Sequence, residues 1–201
     1  MAIRINLRKK FVLLNLILIL GIGGAYYAIR QYAENLEMKT YLTFSSKNSA
    51  LDFQFKYPPT WKSYESQGAT EKYDEVQVMG PRDEAKEFSV YYSVTVKNSD
   101  KEMSDWHAKF ISSMERFPNF KILKSKSETI QGLKTRLTSY EHVMRLPLRK
   151  SNAESVLMKG ETCFLVRGNK AYRLTFFGTA EQFKEHEYVF NRMLKSFKFL
   201  K

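Results

Sequence analysis

Residues 155–183 read SVLMKGETCFLVRGNKAYRLTFFGTAEQF, and this stretch decides the fold. From Ser155 to Val166 and from Ala171 to Phe177 the apolar residues recur with the period of two that marks a strand, and Gly168 and Asn169 stand between the two runs. A glycine-containing turn between two such runs predicts an antiparallel hairpin. Thr179 and Gln182 have the spacing of a capping box. Beyond them Phe183, His186, Phe190, Met193 and Phe197 continue one helical stripe, joined by Val189 and Leu194, so a helix is expected from about Thr179 to Lys195. Ser196 to Leu200, with Phe197 and Phe199, reads as a short closing strand.

Working towards the N-terminus, Phe120 to Lys126 and Leu133 to Tyr140 flank Gln131 and Gly132 and predict a second hairpin. Before it, Met103, Trp106, Phe110, Met114 and Phe117 form an apolar stripe at spacings of three and four. Ser99 with Glu102 offers a capping box for that helix, and Pro118 is expected to end it. Phe88 to Val96 reads as a strand with Val90, Tyr92, Val94 and Val96 on one side, and Val76 with Val78 as a short one before Gly80 and Pro81. In Leu51, Phe53, Phe55 and Tyr57 every second residue is apolar, which predicts a strand stopped by Pro58 and Pro59. Tyr41 to Ser45 forms another strand before a polar turn. This order of strands, helix, two hairpins, helix and final strand implies the α+β class, an antiparallel sheet with helices packed on it.

The first thirty residues are a separate object. Arg4, Arg8, Lys9 and Lys10 precede Phe11 to Ile29, nineteen residues without a charge, and Arg30 follows. As a helix that run spans about 28 Å, close to the hydrocarbon thickness of a bilayer. Residues 1–10 are expected to be a cytoplasmic basic segment, 11–29 one N-terminal transmembrane helix or a signal peptide, 30–40 a linker, and 41–201 the extracytoplasmic domain. The continuation of apolar character through Tyr26 to Ile29 favours an uncleaved single-pass anchor; Gly23, Gly24 and Ala25 keep signal cleavage, and so a secreted or periplasmic domain, as the alternative. No cysteine follows the apolar run closely, which excludes a lipid-anchored lipoprotein.

The 201 residues carry a formal charge of +12, 43% are hydrophobic and 14% aromatic, so a folded domain is expected rather than a disordered tail. The first thirty residues hold five of the cations and no acid, leaving +7 on the remainder. Nucleic acid is not an expected partner of a translocated domain, whereas an acidic protein or anionic lipid surface is accessible to it. With one Cys, no intramolecular disulfide and no cysteine zinc site can form.

The chemistry-bearing residues point away from catalysis. His107, His142 and His186 lack metal-ligand spacing and read as packed histidines, and Cys163, inside a strand, as a buried inert thiol. There is no nucleophile elbow and no phosphate-binding glycine loop in the domain. No catalytic residue, cofactor or metal site is assigned, and a hydrolase is the least supported class.

The stretch LDFQFKYPPTW at 51–61 resembles the F-x-F-x-Y-P-x-x-W opening of the PsbP-like family, named for an extrinsic subunit of photosystem II. Residues 168–176, GNKAYRLTF, followed by TAEQF at 179–183, are similar to its hairpin and final helix, and 194–199, LKSFKF, to its ending with one spacer residue fewer. The resemblance covers about residues 41–200. It implies an α/β/α sandwich around a central antiparallel sheet and a mostly non-catalytic role, since superfamily members bind other proteins: photosystem II subunits in one branch, a small nuclear-transport GTPase in another. DcrB-type bacterial envelope proteins are further relatives. An N-terminal membrane segment stands here where a photosynthetic member has a transit peptide, and no binding residues are carried over.

Two recognition sites are read from the residues themselves. Arg145, Leu146, Leu148, Arg149 and Lys150 surround Pro147 in the loop expected between the two hairpins, where arginine can grip a carboxylate or phosphate and leucine supplies contact area. That loop is the expected docking site for a membrane-associated envelope protein. Trp61, Tyr92 and Tyr172 are the weaker candidates, as lining of a pocket for a hydrophobic small molecule. The expected function is thus a membrane-tethered extracytoplasmic binding or assembly module, with ligand binding as the alternative.

Overall fold

Alternation along the strands dictates which faces must be covered, and the computed structural model shows how they are. It describes residues 24–25, 39–46, 48, 51–66, 73–99 and 101–200. The chain divides into the units Met1–Tyr41 and Leu42–Lys201, and the second is the folded domain discussed below. Nearly all of the expected membrane segment at 11–29 and of the 30–40 linker lies outside the described residues. No helix among the described residues is long and apolar enough to cross a membrane.

The domain contains β1 (Leu42–Ser45), β2 (Phe53–Tyr57), β3 (Lys62–Ser66), β4 (Asp74–Asp83), β5 (Phe88–Asn98), α1 (Met103–Met114), β6 (Lys121–Ile130), β7 (Leu133–Leu146), β8 (Glu154–Arg167), β9 (Lys170–Thr179), α2 (Ala180–Ser196) and β10 (Lys198–Phe199). A seven-stranded sheet has the order β3-β4-β5-β9-β8-β7-β6, and a three-stranded sheet the order β1-β2-β10. All pairings are antiparallel. The α+β class and both expected hairpins are present. The hairpins turn at Gly132 and Gly168, whose φ values of +77° and +58° suit glycine.

Each face of the large sheet has its own core. On one, Val78, Tyr92, Leu174 and Phe176 meet Phe190 and Met193 of α2 and Phe53 and Phe55 of β2. On the other, Tyr140, Met158, Phe164 and Phe177 pack with Phe110 of α1. The second helix starts as read: the Thr179 side chain accepts from the Gln182 backbone at 3.2 Å, and the Gln182 side chain accepts from the Thr179 backbone at 3.1 Å. Such a box contributes about 1 kcal/mol to the helix end.

Several expectations are corrected. The strands do not form one sheet: β2 ends at Pro58, the Trp61 N–H closes a turn on the Pro58 carbonyl at 3.0 Å, and β3 begins in the other sheet. With Leu51, Phe53 and Phe55 all buried on one side, β2 lies over the large sheet and covers it by its face. One layer of the expected sandwich is therefore a helix together with a small sheet. The Ser99/Glu102 capping box is absent, because Ser99 Oγ instead accepts from Trp106 Nε1 at 2.9 Å and from the Lys101 backbone at 3.1 Å. The first helix stops at Met114, short of Phe117 and Pro118. β4 runs on through Gly80 and Pro81 by way of an irregularity between Met79 and Arg82, which spares the proline a ladder bond. β3 had no sequence signal, since all five of its residues are exposed and no alternation marks it.

Candidate recognition surfaces

The two longest strands, β7 and β8, pair from Thr135 with Leu165 to Leu146 with Glu154, and residues 147–153 join them at one tip. Leu146 is 2% exposed and belongs to the core beside α1, which anchors the start of the loop. Pro147 follows through a cis peptide bond and is buried as well. Arg145 donates from Nε and Nη2 to the Ala153 carbonyl, at 3.3 and 2.8 Å. The Lys150 backbone donates to the Pro147 carbonyl at 3.4 Å, the Ala153 backbone to the Lys150 carbonyl at 3.2 Å, and Lys150 Nζ pairs with Glu87 in the β4–β5 turn. That ammonium holds the Glu87 carboxyl below its usual range.

The five residues read from the sequence thus divide. Arg145 and Lys150 brace the loop, and Leu146, expected to supply contact area, is its buried anchor. Leu148, 57% exposed, and the exposed Arg149 remain to meet a partner.

Trp61, Tyr92 and Tyr172 are side chains of the core, 5%, 0% and 0% exposed. Trp61 stacks on Phe176 with ring centroids 6.5 Å apart, Tyr92 lies between Phe55 and Phe190 at 5.1 and 5.9 Å, and the Tyr172 hydroxyl donates to Asp52 at 2.8 Å. Aromatic spacing along a strand does not distinguish core from pocket, and here the facing layer fills the space.

Cys163 is fully buried, and burial pushes its thiol up to about 12, far from a thiolate at neutral pH. His107 Nε2 lies 2.8 Å from Thr138 Oγ1, and the His186 ring meets Trp61 edge-on at 5.9 Å. His142 is 1% exposed, stacked 5.4 Å from Phe177, with no hydrogen bond to either ring nitrogen.

Burial lowers the pKa of all three histidines from 6.5. The fold therefore favours the neutral rings, and as pH drops below 6.5 the unfolded chain takes up protons that the folded one refuses. Their contribution to stability is complete above 6.5 and is lost as pH falls towards the lowered folded-state values. Urea midpoints should decline between about pH 7 and pH 5, and His142→Phe should reduce that decline while raising stability at neutral pH by about 1 kcal/mol, because two unpaired buried nitrogens disappear.

A feature the sequence reading missed lies between α2 and strands β6 to β8. A groove of about 540 Å³ runs there, lined among others by Lys124, Glu128, Leu137, Leu194 and Lys195, and a second recess of about 380 Å³ shares Lys124, Ser139 and Glu187 with it. Glu161 of β8 lines the groove while only 8% exposed, and Oε1 accepts from Ser139 Oγ at 3.0 Å. Burial raises its pKa above 4.5, Glu187 and Glu128 add to that, and the Ser139 hydroxyl and Lys126 oppose it. The available signal was a carboxylate two residues ahead of the apolar run at 163–166 of β8.

The sequence profile of the PsbP-like protein family matches residues 30–199. No curated protein matches the chain. Solved structures do: a protein of unknown function, PA94, from Pseudomonas aeruginosa at 15% identity and a TM-score of 0.51, covering 78% of this chain and 94% of that one. Cyanobacterial PsbP (CyanoP) from Synechocystis sp. PCC 6803 matches at 14% and 0.51, with 80% and 92% covered. LpqN of Mycobacterium tuberculosis, described as involved in cell envelope biogenesis, matches at 8% and 0.52, with 80% and 91% covered. At these identities the structural likeness concerns the fold alone.

Proposed function

The chain belongs to the PsbP-like family, and from that premise we propose that it is a non-catalytic, membrane-tethered extracytoplasmic module that docks on a membrane-associated protein through the β7–β8 loop. The observation that carries the docking role is the bracing of this loop. Arg145, the buried Leu146 and Pro147 and the Lys150–Glu87 pair hold its backbone, so Leu148 and Arg149 are offered in a fixed geometry. Binding by a pre-ordered loop avoids the entropy of ordering it on contact.

The tether is supported by the cationic residues ahead of the uncharged run at 11–29, which orient such a segment with its N-terminus inside. An envelope role is supported by that described for LpqN. Confinement to the membrane plane raises the effective concentration of the domain for a partner in the same membrane, so few contacts suffice.

The test uses the full-length, tagged chain in its native membrane. It should resist alkaline extraction, and crosslinking should capture a stoichiometric membrane-associated partner. Leu148→Asp combined with Arg149→Glu should abolish that capture, whereas Lys62→Glu on the exposed β3 edge should not. Both loop residues are exposed, so stability should change by less than about 0.5 kcal/mol. Capture unaffected by the loop variant removes the loop from the reading, and a chain released by alkali removes the tether.

A further inference from the structure

Glu161 is a largely buried carboxylate that no lysine or arginine among the described residues pairs with directly; Lys126 acts on it only from a distance. No lysine or arginine nitrogen among them lies within 4.0 Å of it, and Lys126, which lines the same groove, is paired with Glu128. A desolvated carboxylate is stabilised by taking up a proton or by meeting a cation. The groove is open to solvent, so a ligand can deliver that cation.

The rest of the lining narrows the ligand. In the larger recess Lys124, Lys126 and Lys195 balance Glu128, Glu161 and Glu187, and Lys159 and Lys184 border the smaller one. A plain anion meets three carboxylates, and a polyamine meets five lysines. A metal ion needs several donors together, and no three His, Cys, Asp or Glu among the described residues are so placed. Leu137, Leu194 and Ile130 add apolar wall beside the charged groups.

We propose that the groove between α2 and strands β6 to β8 binds a zwitterion, a free α-amino acid or short peptide with an apolar side chain, its ammonium on Glu161 and its carboxylate on the Lys124 and Lys195 rim. A recess of about 540 Å³ falls in the ordinary size range of small-ligand sites. Ser139 fixes the Glu161 carboxyl at the floor, and the leucines receive the side chain. This site is independent of the docking role of the loop.

Calorimetric titration of the full chain in mild detergent tests it, with L-leucine, the dipeptide Leu-Leu, N-acetyl-leucine and isoamylamine as probes. At least one of the two zwitterions should bind saturably, and their ranking tells a free amino acid from a peptide end. N-acetyl-leucine, lacking the ammonium, and isoamylamine, lacking the carboxylate, should each bind at least about tenfold more weakly. Glu161→Gln should weaken the zwitterion by about tenfold and Lys195→Gln by less. Lowering the pH through the raised pKa of Glu161 should weaken binding to the wild type, because the protonated carboxyl no longer attracts the ammonium, and should leave Glu161→Gln unaffected. Lys126 and Glu128 on β6 and Glu187 on α2 are the neighbouring charges that act on this titration.

Equal binding of leucine and N-acetyl-leucine, an undiminished affinity in a folded Glu161→Gln, or no saturable heat from either zwitterion at about 10 mM overturns the proposal. If Glu161→Gln fails to fold, the probe series on the wild type decides alone, and Ser139→Ala, which leaves the carboxyl in place but loosens it, should lower affinity.

Discussion

Replacing Phe53 by Ala is expected to lower the free energy of unfolding by about 3–5 kcal/mol, the cost of emptying a fully buried phenylalanine site. The ring is 0% exposed. Its centroid lies 5.3 Å from Phe197, 5.9 Å from Phe44, 6.1 Å from Phe55 and 6.5 Å from Tyr172. Those neighbours belong to the end of α2, to β1, to β2 itself and to β9, so the void would open where the small sheet, the large sheet and the helix meet. Collapse into it is resisted because β2 is bonded on both sides, Phe44 facing Phe55 on β1 and Phe199 facing Phe53 on β10. Set against the 5–15 kcal/mol that typically separates folded from unfolded domains, roughly a fifth or more of the stability disappears. Urea denaturation would show this as a lower midpoint at unchanged slope. A loss below about 1 kcal/mol would mean that the small sheet is peripheral to the cooperative unit.

The second large effect comes from adding atoms. In Gly160→Ala the new methyl would lie 2.4 Å from Cζ and Oη of Tyr140 and 2.8 Å from its Cε2. Tyr140 is the register partner of Gly160, and its ring covers the glycine. It is 2% exposed and cannot swing aside, since Phe110, Phe120, His142 and Phe177 surround it at centroid distances of 5.4, 6.0, 6.2 and 6.4 Å. Overpacking of this kind costs about 1–3 kcal/mol or more. The cause is steric, because the Gly160 backbone lies outside the left-handed region that Gly132 and Gly168 occupy. A double-mutant cycle isolates it: Tyr140→Leu is itself destabilising, yet in that background Gly160→Ala should be nearly neutral, a coupling of about 1–3 kcal/mol. If the two changes are additive, the contact between them is not the source of the loss.

Both predictions turn on contacts that local sequence reading cannot see. The tyrosine over Gly160 stands twenty residues away, and the rings around Phe53 come from four separate elements. The same holds for function. Arg145, Arg149 and Lys150 look equivalent along the chain, and only the positions of the Ala153 carbonyl and Glu87 show that two of them are braces and one is presented. Leu146 and Leu148 differ in the same way, one turned into the core and the other 57% exposed. Glu161 gains its unusual environment from β6, β7 and α2 together, none adjacent to it in sequence.

By itself the sequence determined whatever depends on neighbours a few residues apart. The period of two named the inward face of most strands, glycines at 132 and 168 placed the hairpin turns, Thr179 and Gln182 started the second helix, and the order of motifs pointed to the family. Tertiary structure alone decided which strands share a sheet, that the exposed β3 exists at all, that Ser99 binds Trp106 in place of a helix end, and that a buried carboxylate lines an open groove. The reason is physical. Backbone period and turn geometry are set by local sterics and solvation, whereas pairing, burial and electrostatic environment depend on groups brought together over long separations, as when Tyr172 reaches Asp52 across 120 residues.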